Sequence, residues 1–272
     1  MPPEAPRGGP REGRLRQRRH RFYVHLLLIT VAVLVSYAIP SAWSRLSFLG
    51  HVLLTVTLCV ELGGVVGWGH RPRHLLDRLY RWLGVACLGA QLIWLLTPGA
   101  IRYSGMPLLV LFSLFIGWSL KRLVDCLSRE QWVGSRVVAG ALAGYLLLGI
   151  SGGLMLSVVA TIDPPGFVAS HHGTSLAPPA VSDSQLSRQV WQLDFMNINY
   201  FALVSLTTVG YGDILPVSPF SKMASVSLSV AGPLYIAVVM GVLISRLTQQ
   251  GGSPPPGAPG PPPPPCAGPG GR

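Results

Sequence analysis

Thr207-Thr208-Val209-Gly210-Tyr211-Gly212-Asp213 is the stretch on which the reading of the chain turns. Its glycines alternate with bulkier residues. Glycine visits left-handed backbone conformations at little steric cost. Alternation between left- and right-handed residues aims successive carbonyls in one direction, into a common axis. A row of oxygens of that kind can replace the water shell of a cation. Thr208 adds a hydroxyl at the inner end, and Asp213 sets a carboxylate at the outer mouth, where it attracts cations. Val209 and Tyr211 are expected to turn their side chains away from the axis and pack behind the loop. The run Thr208 to Asp213 would arise by chance on the order of 10⁻⁵ times in a chain of this length, so a mere glycine-rich turn between two helices does not account for it.

The surroundings suit a membrane. Of 272 residues, 49% are hydrophobic and only 11% are charged, against about 25% charged in a soluble domain. The apolar residues lie in six blocks, read as spans over Phe22–Ile39, Leu46–Val66, Trp82–Leu96, Met106–Leu120, Val137–Ala160 and Phe220–Ser245. Phe195–Leu206, before the loop, reads as a short re-entrant helix. Basic residues orient the spans. With the N-terminus inside, 17 of the 21 Lys and Arg residues lie on the inner side, and Arg45, Arg102, Arg188 and Lys222 lie outside. The net charge of +11 is thus topological, and no nucleic-acid motif accompanies it. Both termini are placed in the cytoplasm and the loop opens outward. The seven tryptophans fall at or near span or helix ends, as an interfacial belt requires.

Residues 1–21 carry seven arginines and read as a disordered basic arm. A cleaved secretory signal is the rival, but the apolar block after it is long for a signal core. Leu120, Leu123, Val124 and Leu127 share one helical face, so residues 121–136 are expected to form an amphipathic linker on the inner membrane surface. Gly140 and Gly144, and then Gly149 and Gly153, mark close helix packing in span five. Residues 161–193 form a Pro/Ser-rich outer turret, in which His171-His172 is read as an exposed loop pair. Residues 248–272 are a disordered Pro/Gly-rich tail, bare or a polyproline ligand for an unknown partner. The cysteines Cys59, Cys87, Cys126 and Cys266 show no metal or disulfide spacing.

Asn199-Tyr200-Phe201-Ala202-Leu203-Val204-Ser205-Leu206, read on through Thr207 to Asp213, resembles the pore of the voltage-gated-like potassium channel superfamily in its bacterial, six-span form. The resemblance covers about residues 134–247. It implies an all-α membrane protein whose pore domain, 137–247, combines an outer helix, a pore helix, a filter loop and an inner helix. Potassium would meet the carbonyls of Thr208, Val209, Gly210 and Tyr211, with Gly212 closing the filter and Asp213 at its mouth. Tyr200, Phe201 and Val204 would support the filter from behind. Gly232 and Pro233 match a gating hinge, and Ile236, Met240 and Leu243 would line the inner cavity. Such a filter takes about four loops around one axis. The chain has one, so a homotetramer in the lipid bilayer follows, and the family places it in a bacterial cell membrane. No cofactor is implied beyond the permeant ion.

One departure bears on gating. Residues 22–120 resemble a four-helix voltage sensor, yet span four, Met106–Leu120, carries no charge. A charge crossing the membrane couples to voltage by about 2.3 kcal/mol per 100 mV, so weak or no voltage sensing is expected. Glu61 is the one acid inside the first four spans. It reads as a proton sensor or as a partner for Arg81 or Lys121, with a structural ion pair as the plainer reading. A non-selective cation channel and a potassium transporter or its regulatory subunit are the alternatives. An enzyme ranks last, since no nucleotide motif, metal cluster or nucleophile arrangement appears.

Overall fold

A computed structural model describes residues 10–37, 44–63, 74–96, 106–128, 130, 134–163, 166–169 and 186–251. The turret histidines, the first nine residues of the arm and the tail beyond 251 lie outside the described residues.

The helices are α1 (Pro10–Ser36), α2 (Ser44–Gly63), α3 (His74–Leu96), α4 (Met106–Leu127), α5 (Ser135–Ile162), α6 (Leu186–Leu206) and α7 (Pro219–Gly251). Two short strands, β1 (Phe167–Ala169) and β2 (Ile214–Pro216), flank α6 in sequence. By length and composition, three described segments can cross a membrane: Pro107–Leu127, Ser135–Ile162 and Pro219–Thr248. Arg21–Ser36, Leu49–Gly63 and Phe195–Leu206 are shorter apolar helices of 10–17 residues. The chain is an integral membrane protein.

α5 is the hub. It packs against α1, α4, α6 and α7, and its small residues set those approaches. At Gly140 an added Cβ would meet the Tyr23 ring of α1 at 2.8 Å. At Gly149 it would meet Leu203 of α6, and at Gly152 Leu228 of α7, each at 2.5 Å. Gly153 faces Asn199 of α6 and Gly144 faces Tyr235 of α7. Successive turns of one glycine-rich helix thus serve different neighbours, as small residues do where helices meet in lipid.

One charged side chain of α4, that of Arg122, is held within the α1–α4 unit. Arg122 pairs with Asp77 of α3, and its guanidinium lies 4.5 Å from the Tyr80 ring centroid. Tyr80 is fully buried, donates to the Leu58 carbonyl at 3.1 Å and shares a hydrogen bond with Ser119 at 2.8 Å. Near the C-terminal end of α7, Arg246 donates to the carbonyls of Ser128 and Glu130, and Tyr23 of α1 donates to the Glu130 carboxylate at 3.3 Å. This ties α1, the α4–α5 corner and α7 together.

Several boundaries differ from the expectation: α3 begins at His74 and not at Trp82, and α6 begins at Leu186, within the stretch expected as turret. The helix α1 begins at Pro10, so the second half of the basic arm is helical. α7 continues to Gly251, past the expected end of the pore domain at 247. Residues 121–127, expected as part of a surface linker, are the last two turns of α4. Leu123 and Leu127 are 0% and 2% exposed, so the apolar face of that stretch continues the buried face of α4. The periodicity was real, but its partner is the protein core and not the membrane surface.

Candidate functional site

The site is built at the C-terminal end of α6. Four carbonyls at a helix end lack partners within the helix. Here the following loop turns back to meet them. Thr207 N donates to Leu203 O at 2.9 Å, Val209 N to Val204 O at 3.0 Å and Thr208 N to Ser205 O at 3.1 Å. The Thr207 hydroxyl adds a bond to Leu203 O at 2.8 Å. The chain then leaves through Thr208, Gly210 and Gly212, with φ of 60°, 58° and 78°. The left-handed conformation therefore falls on every second residue, and it falls on Thr208 as well as on the two glycines. For an L-residue this costs about 1–2 kcal/mol.

The C-terminal end of the loop is pinned. Asp213 accepts from Ile214 N at 3.1 Å. β2 pairs antiparallel with β1, Ile214 opposite Ala169 and Pro216 opposite Phe167. Val217 N then donates to Gly166 O at 2.8 Å. Ser218 caps α7, its hydroxyl accepting from Ser221 N at 3.1 Å, and Pro219 takes the first helical position, which suits a residue without an amide proton. The Ser221 hydroxyl returns to Gly166 O at 2.7 Å. The loop is thus held between a helix end and a two-stranded clamp.

Phe201 and Val204 are each 8% exposed and lie in the core behind the loop, where Phe201 meets Phe167 edge-on at 5.6 Å. Tyr200 is 38% exposed, and its ring runs parallel to that of Tyr211 at 6.5 Å. Val209 and Tyr211 are 52% and 71% exposed. The expectation that both pack behind the loop is not met within one chain.

On α7, Ile236 and Met240 are 46% and 37% exposed. Leu243, expected beside them in a cavity, is 2% exposed. It forms an i, i+4 pair with Val239, and both pack in the cluster built from α1–α5. Helix α7 runs through Pro233 without a break. Gly232 is buried, and an added Cβ there would run into the carbonyl of Leu206. That close approach was not legible from the glycine–proline pair. Nor was Tyr145 of α5, which donates to Leu206 O at 3.4 Å; its one sequence signal is a tyrosine inside an otherwise apolar span. Glu61 is half-buried on α2 and has an interaction partner, while the acid that meets Arg122 is Asp77, outside the expected spans.

Residues 167–249 match a protein family described as "Ion channel". The chain is 39% identical over 46 residues to the potassium voltage-gated channel protein shk-1 of Caenorhabditis elegans, a match that covers 17% of this chain and 9% of that protein. No solved structure matches. The unit from β1 through α6, the 207–213 loop and α7 is similar to an ion channel domain.

Proposed function

We propose that the chain forms a potassium-selective channel, which conducts passively through a ring of about four identical loops. The observation that carries this reading is the alternation of left-handed residues at Thr208, Gly210 and Gly212. It is the backbone pattern that lets successive carbonyls face one axis. The carbonyls of Thr208, Val209, Gly210 and Tyr211, with the Thr208 hydroxyl, then replace the ion's water, Gly212 closes the row and Asp213 draws cations to the mouth. Exposure of Val209 and Tyr211 in one chain supports assembly as a homotetramer, in which neighbouring copies cover them. Gly232 and Pro233 mark where α7 meets the filter, and Ile236 and Met240 remain as cavity-lining residues. The family match, over residues 167–249, and the similarity to a nematode potassium voltage-gated channel protein support this reading. The first four helices complete a six-span layout with both termini inside.

The test is a reversal potential in a planar bilayer with potassium on one side and sodium on the other. Reversal near the potassium limit is expected. Reversal near zero with open current would mean a non-selective cation pore.

The same bilayer reads voltage dependence. No charge lies in α4 before Lys121, and Arg122 is bound to Asp77 and stacked on Tyr80. Conductance should therefore change shallowly with voltage. Steep sigmoidal activation carrying many gating charges would refute this.

A further inference from the structure

Three of the last four carbonyls of α6 are met by amides of the loop that follows, and the fourth, Leu206 O, is met from another element. Tyr145 of α5 donates its hydroxyl to it at 3.4 Å. The Tyr145 ring lies 5.9 Å from that of Tyr235 on α7, tilted by 46°. Tyr235 is itself anchored, donating to the Ala141 carbonyl of α5 at 2.8 Å. Gly232, nearly one turn before Tyr235, is the α7 residue that approaches the same Leu206 carbonyl. Leu206 is 1% exposed and stands two residues before Thr208.

We propose that Tyr145 is a positioning residue of the pore, which sets the inner end of the filter through the Leu206 carbonyl. The peptide plane that carries this carbonyl also carries the amide of Thr207. Its orientation decides the direction in which the chain leaves α6, and hence where the carbonyl and hydroxyl of Thr208 stand. A carbonyl left without a donor in a membrane interior turns to find one, and the plane turns with it. The inference rests on the channel reading of residues 207–213.

Tyr145→Phe tests it, because it keeps the ring and removes the donor. Tyr235→Phe is the control: it removes a hydroxyl of the same kind whose partner is Ala141 and not Leu206. The readout is the potassium-to-sodium permeability ratio of the full chain in bilayers. Tyr145→Phe should lower the ratio about five-fold, the scale of one neutral hydrogen bond, while Tyr235→Phe stays within about two-fold of wild type. A merely structural role would lower the yield and leave the ratio unchanged. If Tyr145→Phe does not assemble alone, mixed tetramers with wild-type subunits give the reading: a graded fall in the ratio supports the proposal, and a constant ratio overturns it. An equal effect of both substitutions also overturns it. If the wild type reverses near zero, the potassium-selective reading of the loop has failed. If the wild type is selective and Tyr145→Phe matches it, only the role of Tyr145 has failed.

Discussion

Gly232→Ala is expected to prevent assembly of a conducting protein. Two readings of this glycine predict opposite results. As a hinge it supplies backbone freedom, and alanine would stiffen the helix. In a helix interior alanine is favoured over glycine by about 1 kcal/mol, so a hinge variant would assemble normally and differ only in opening. The structure supplies a different reason for glycine. A Cβ at position 232 would overlap the Leu206 carbonyl and lie 3.2 Å from its side chain. The obstacle is backbone at the end of α6, whose preceding carbonyls are already bound by the loop. It has little room to give. Overpacking of this kind costs about 1–3 kcal/mol per site, and it recurs in every subunit. Size-exclusion chromatography and thermal denaturation in detergent should show less assembled protein and a lower Tm. Normal assembly with altered open probability would restore the hinge reading.

The second large effect is expected at the 207–213 loop. Gly210→Ala or Gly212→Ala should abolish selective current and leave the subunit folded. An alanine at φ of 58° or 78° is strained by about 1–2 kcal/mol. Within one chain nothing lies within 4 Å of a Cβ at either position, so the strain is in the backbone and not in packing. Relief comes from rotating the residue to negative φ, which swings its carbonyl off the common direction. In the proposed ring of about four loops the strain adds to roughly 4–8 kcal/mol, enough to favour the rotated loop. The hydrophobic clusters behind the loop contain neither glycine, so chromatographic behaviour should match wild type. Selective current at wild-type ratio in either variant would remove the backbone argument for the site.

Several features could be read along the chain because they depend on neighbours in sequence. The alternation of Gly210 and Gly212 within a polar–aromatic run specifies a backbone path, and the left-handed residues fall where that path needs them. The apolar block before the loop becomes the buried part of α6, and the long apolar run after it becomes α7. Ser218-Pro219 marks the start of α7 by local capping chemistry alone.

Other features were decided by contacts distant in sequence. The apolar stripe Leu120, Leu123, Val124 and Leu127 has the same period on a membrane surface as in a core, and only the packing of α4 against its neighbours selects the core. Leu243 and Ile236 stand almost on one face of α7 by periodicity, yet one is buried in the cluster built from α1–α5 and the other is 46% exposed. Asp77 and Arg122 lie 45 residues apart and meet through the fold of α3 on α4. Tyr145 and Leu206 lie 61 apart and meet across α5 and α6. A motif is legible when its chemistry lies within a few bonds of backbone. A buttress is not, since the same tyrosine in the same apolar helix would face lipid if the helix were turned by half a turn. The chain by itself determined the path of the 207–213 loop and the apolar segments around it. The tertiary structure alone decided what holds the loop in place, because hydrogen bonds and close packing depend on distances that only the assembled helices set.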